Sequence, residues 1–198
     1  MEDAKNHPFY SSYEEMLNLV PLDDPIKPIE RSRIQYLKYL AMASVGGGWL
    51  SEYDTMPLRS PLPIDKYVNK FSVYESPGIS SLLSGSASEW TRMAKLLLKT
   101  GMRNKNSPHW SETMGLVHVI HTGECECDLK HMVLEADQVL TGRPLEAADC
   151  ELLQNYMGVH FSALSLNRSH DNLEGRDWHQ KPQIVKEWFK SFRIYCVI

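Results

Sequence analysis

Gly46-Gly47-Gly48-Trp49-Leu50-Ser51-Glu52-Tyr53-Asp54 is the stretch on which the reading of this chain turns. Three glycines let the backbone turn where a Cβ would clash. A short apolar step follows, then two carboxylates separated by one residue. In an extended segment alternate side chains share a face, so Glu52 and Asp54 converge while Tyr53 points away. Two hard oxygen ligands on one side of a strand end suit Mg²⁺ or Mn²⁺, ions that usually arrive with phosphates. The same residues also read as a plain polar strand end closed by Met56-Pro57. Upstream, Ile34, Leu37, Leu40 and Ala41 fall on one face of a helix expected over Ile29–Ala43, which the glycines end.

Outward from this stretch the elements alternate. Residues 1–28 are rich in Pro and acids and read as an N-terminal arm with a short helix around Tyr13–Leu19, capped by Ser11 or Ser12. Lys66–Glu75 and Ile79–Leu83 read as strands bounded by Pro63, Pro77-Gly78 and Gly85. Ser86 and Glu89 form a capping box for a helix that Gly101 stops. Further helices are expected over Glu112–His121 with Ser111 as cap, over Asp128–Leu140, over Leu145–Asn155 and over Gln183–Phe192. Met157–Ala163 alternates as a strand, which places Gly158, His160 and Ser162 on one face. A histidine beside two small residues at a strand end is either a third Mn²⁺ ligand or a strand histidine bonded to a backbone carbonyl. The interleaving predicts an α/β fold, one domain spanning residues 1–198.

The glycine run, its aromatic residue and the acid-x-acid pair resemble the DXD region of GT-A fold glycosyltransferases, in which a helix runs into Gly-Gly-x-Tyr-x-Asp-x-Asp. In that family the motif holds a divalent ion bridging the diphosphate of a nucleotide sugar. The first acid here is Glu52 rather than Asp, and the spacing from the glycines is one residue longer, which makes Asp54 the firmer ligand. Val159-His160-Phe161 is similar to the late Val-His-Phe strand of glycogenin-type enzymes, which supplies a further metal ligand; here the chain continues Ser-Ala-Leu-Ser.

The resemblance extends to three more places. Related families carry an Arg about two turns ahead of the glycines, and Lys38 stands there, with the charge but not the bidentate fork. Leu83-Ser84-Gly85-Ser86 resembles the segment that closes over the donor sugar, which implies donor contacts at Gly85 and Ser86. Trp110-Ser111-Glu112-Thr113-Met114 is similar to a Ser-Asp-Met helix start, where Glu112 would orient an acceptor hydroxyl. Each has a structural counterpart reading: a solvated helix Lys, a well-capped helix start, and an acid favoured by the helix macrodipole.

The likeness runs from Ile29 to Arg168 and implies a partial GT-A mixed sheet flanked by helices. Only 45 residues precede Gly46, without the βαβ unit that cradles the nucleotide, so a fragment of a longer enzyme or a reduced fold is expected. The implied function is metal-dependent transfer of a sugar from a nucleotide-sugar donor to an acceptor hydroxyl, with Glu52, Asp54 and His160 holding Mn²⁺ or Mg²⁺. The alternative is a non-catalytic remnant serving as an interaction module. A third option is a small zinc module built from His118, His121, Cys125, Cys127 and His131, although Cys-x-Cys lacks the usual knuckle gap.

Composition limits the other classes. A formal charge of −4 over 198 residues gives no electrostatic footprint for nucleic acid. No apolar run approaches the length of a membrane span, and the acidic start is no signal peptide, so a soluble, by default cytoplasmic, protein is expected. The four cysteines are too few for a disulfide scaffold and are expected as free thiols.

Overall fold

A computed structural model of the chain describes residues 2–22, 28–59, 70–75, 79–173 and 175–196. The fold is mixed α/β, as the sequence predicts, with two sheets flanked by helices. Its residues gather into two compact units: Met1–Leu50 with Pro63–Lys130, and Ser51–Leu62 with His131–Ile198.

The first unit opens with α1 (Glu2–Lys5), α2 (Tyr10–Leu17) and α3 (Ile29–Ser44), and β1 (Gly47–Ser51) leads out of it. Strand β2 (Thr55–Pro57) belongs to the second unit. The chain returns to the first for β3 (Ser72–Glu75), β4 (Ile79–Ser86), α4 (Ala87–Arg103), α5 (Glu112–His121) and β5 (Asp128–Leu129). The second unit is completed by β6 (Val133–Glu135), α6 (Ala147–Leu153), β7 (Gly158–His160), α7 (Ala163–Arg168) and α8 (Lys181–Tyr195).

In the first unit the strand order is β1-β4-β3-β5. β3 pairs antiparallel with β4 and parallel with β5, in the registers Val73↔Leu83 and Ser72↔Asp128. Residues 1–28, expected as an arm, contribute Ala4, Tyr13 and Leu17 to this unit's core. Helix α3 is turned from its expected face: Ile34 is 45 % exposed, while Tyr36, Leu37, Tyr39 and Leu40 are buried. The tyrosine rings carry part of the apolar load here. Trp90 sits at the centre, edge-on to Tyr39 and Phe71, and donates Nε1–H to the Gly48 carbonyl at 3.2 Å.

The glycine run is explained by backbone geometry. Gly46, Gly47 and Gly48 all take positive φ, at 96°, 88° and 123°. A Cβ on Gly47 would lie 2.6 Å from both the Ala87 nitrogen and the Gly85 carbonyl oxygen. Only glycine lets β1 approach the start of α4 so closely.

Several local expectations are corrected. Ser86 caps α4 by accepting from Glu89 N–H, but Glu89 does not close the box; its carboxylate takes Phe71 N–H at 2.8 Å and both guanidinium contacts of Arg92. Gly101 lies inside α4, where a Cβ would meet Val20 Cγ1 at 2.8 Å, so it serves close packing and not a stop. Asp128–Leu140 is no helix: it supplies β5, β6 and a 3₁₀ turn over Ala136–Gln138, because both strands find ladder partners distant in sequence. The part of the expected Lys66–Glu75 strand before residue 70, and the Pro77-Gly78 turn, lie outside the described residues. The cysteines are not free thiols: Cys125 pairs with Cys127, and Cys150 with Cys196, at Cα separations of 5.0 and 5.1 Å that suit a disulfide. Among the described residues no helix is long and apolar enough to cross a membrane.

In the second unit the order is β2-β7-β6, with β7 antiparallel to β2 and parallel to β6. Its core joins Leu134, Val159, Phe161, Leu166, Trp188 and Phe192. Phe161 meets Trp188 edge-on and Trp188 stacks on Phe192, which fastens α8 to the sheet.

Candidate metal centre

The second unit builds the site from three places. The backbone between β1 and β2 turns instead of staying extended as the alternation of Glu52 and Asp54 predicts. Thr55 N–H donates to the Glu52 carbonyl at 3.1 Å, closing a turn over residues 52–55. The turn delivers both carboxylates to one side by folding the chain. Asp54 is then locked to the distant partner strand, because its carbonyl accepts Phe161 N–H at 2.9 Å and Thr55 pairs with His160. Gly158 permits this pairing, since a Cβ there would sit 3.0 Å from the Met56 carbonyl oxygen.

Strand β7 ends at His160, and Ser162 caps the following helix by accepting Ser165 N–H at 3.0 Å. Ser162 is thus a capping residue rather than a member of the His160 face. His160 is 4 % exposed, and its Nε2 lies 3.4 Å from Asp54 Oδ1. One ligand atom from each of Glu52, Asp54 and His160 lies within 4.8 Å of the other two. Ligand distances of about 2.0–2.6 Å place donors on one ion up to roughly 4–5 Å apart, so the separation fits a shared cation. Among the described residues this is the sole such group of three His, Cys, Asp or Glu side chains. Among the described residues the five residues of the zinc option are not in a group of this kind, and Cys125 and Cys127 are bonded to each other.

One member was missed from the sequence. Lys181, the first residue of α8, donates from Nζ to Asp54 Oδ2 at 2.8 Å and stands 5.4 Å over the ring of Tyr53, which is itself 84 % exposed. Its local signal is only a Lys-Pro pair at a helix start, which Pro favours for its fixed φ. The carboxyl of Asp54 responds to these neighbours: burial alone would raise it, but His160 and Lys181 outweigh burial and hold it at about 2. Asp54 is ionised at neutral pH. Its Oδ2 is occupied by Lys181, whereas Oδ1 is buried and faces His160 Nε2 at 3.4 Å.

The remaining predicted site residues lie in the first unit. Lys38 Nζ donates to Gln35 at 2.7 Å and Ser80 at 3.0 Å, and stands 3.6 Å from Glu112 Oε1. Glu112 is 2 % exposed; Tyr39 donates a short hydrogen bond to its Oε1, and Ser80 donates to its Oε2 at 3.3 Å. These two residues are partners in one buried polar cluster between α3, α5 and β4. Gly85 faces Phe71 and Trp90, and Ser86 is spent on the α4 cap.

Comparison of the chain with protein-family profiles, curated proteins and solved structures finds no match.

Proposed function

We propose that the chain is a metal-dependent glycosyltransferase of the GT-A kind, in which Glu52, Asp54 and His160 hold the ion and a nucleotide sugar is the donor. One observation carries the reading: Asp54 is ionised, its Oδ1 is buried 3.4 Å from His160 Nε2, and ligand atoms of Glu52, Asp54 and His160 lie within 4.8 Å of one another. Removing a carboxylate oxygen from water is costly, and a cation held between these donors offsets the cost. Two carboxylates with one imidazole suit Mn²⁺ better than Mg²⁺, which prefers oxygen alone. When bound, the ion would neutralise charge gathering on a departing nucleoside diphosphate.

The protein's own groups do the rest. Without metal, His160 and Lys181 hold the Asp54 carboxyl low; with metal bound, His160 would turn its nitrogen to the ion and Lys181 would remain on Oδ2. Lys181 balances one of the two acidic charges and keeps an ammonium fixed beside the centre, where an anionic donor would be stabilised. Lys38, Gly85, Ser86 and Glu112 supply no part of this reading.

A second reading has its own observation. The Lys181–Asp54 pair is an internal cation in a site that also suits a metal, and in a non-catalytic interaction module that pair would suffice. Calorimetric Mn²⁺ titration with a panel of nucleotide sugars separates the two. Wild type is expected to bind Mn²⁺, and metal is expected to tighten binding of at least one nucleotide sugar. Asp54→Asn, which keeps shape and removes charge, is expected to weaken Mn²⁺ at least about tenfold. Equal Mn²⁺ binding by Asp54→Asn, or none by wild type, would leave the ion-pair reading in its place.

A further inference from the structure

The first unit carries a second feature unrelated to the metal centre. Helices α2 and α4 leave between them a groove of about 540 Å³, open along one side. Its floor is apolar: Phe9, Met16 and Met102 are half-buried against the core, and Leu98 is 2 % exposed. Its wall is cationic. Lys95, Lys99 and Arg103, all exposed, recur every fourth residue along α4 and line the same groove.

The electrostatic partners of these cations are unequal. Arg103 pairs with Glu124 at 3.0 Å. Lys95 stands 4.9 Å over the Phe9 ring, and no carboxylate pairs with it or with Lys99 among the described residues. His7, which feels the charge of Lys95, is bonded to Thr91 Oγ1 at 3.1 Å. Residues four apart on a helix rise by about 6 Å, so the three cations form a row roughly 12 Å long. A single anionic headgroup would engage one step of such a row. An acidic stripe on a helix has the same repeat and reaches all of it.

We infer that the α2–α4 groove is a docking site for an amphipathic helix of a partner protein, its apolar face on Phe9, Met16, Leu98 and Met102 and its acidic stripe along Lys95, Lys99 and Arg103. Unbranched Met side chains at both sides of the floor adapt to differing apolar anchors, and helix-in-groove recognition reads anchors at this spacing.

The test uses the full chain and a fluorescent helical peptide of about 16 residues, with Leu on one face and Glu every fourth residue beside it, followed by anisotropy. Saturable binding that weakens with salt is expected. The peptide with Gln in place of Glu should bind at least about tenfold more weakly. The chain carrying Lys95→Glu and Lys99→Glu should lose the Glu peptide by a similar factor and gain the matching Lys peptide, which also shows that the variant is folded. Equal binding of the Glu and Gln peptides would overturn the inference. So would binding of oleate or anionic vesicles that depends on Lys95 and Lys99 while the peptide fails to bind. Self-association abolished by the same double change, without peptide binding, would overturn it as well.

Discussion

At the scale of single residues, the glycines before the acidic pair differ in what they do. Gly46 takes φ of 96° with nothing within 4 Å of a Cβ, whereas Gly47 takes 88° with backbone atoms at 2.6 Å. Gly46→Ala therefore meets only the cost of a left-handed conformation, about 1–2 kcal/mol. Gly47→Ala adds a collision with the start of α4, and at least about 3 kcal/mol is expected. Urea unfolding of the two variants checks the ordering, and equal losses would contradict it. Asp54 shows the same division between local and distant causes. Its acidic neighbour Glu52 is readable from spacing, and His160 from a short strand pattern. Lys181 was illegible because nothing local marks a Lys at a helix start as the partner of a carboxylate at the other end of the chain.

At the scale of elements, legibility follows how local the determinants are. Helices α4 and α5 were visible from their serine caps and apolar stripes, which act within a few residues. Residues 128–140 have an apolar spacing that suits a helix, while the actual choice is made by ladders to β3 and β7. Strand β7 stands at the other extreme, since three residues carry both the sheet and a candidate ligand. Phe161, wholly buried against Trp188, anchors its exit. Phe161→Ala is expected to cost about 3–5 kcal/mol and to weaken Mn²⁺ binding by loosening His160. Calorimetric melting and the Mn²⁺ titration measure the two effects, and retained Mn²⁺ affinity in a folded variant would separate the anchor from the ligand.

At the scale of the whole molecule, the chain gathers into two compact units, each with its own core. Average hydrophobicity says how much core a chain can build, not how many pieces it forms. The Cys150–Cys196 bridge closes a segment with a sequence separation of 46, which in the chain-entropy account is worth about 4 kcal/mol to the second unit. Reduction should lower that unit's melting transition, readable by calorimetry with and without reductant. The bridge also makes residues 150–196 a covalent ring, with His160 and Lys181 inside it and Glu52 and Asp54 outside. A protease nick within the ring would then be silent in size: the cut chain would migrate as one species on a non-reducing gel and fall into two only once the thiols are restored.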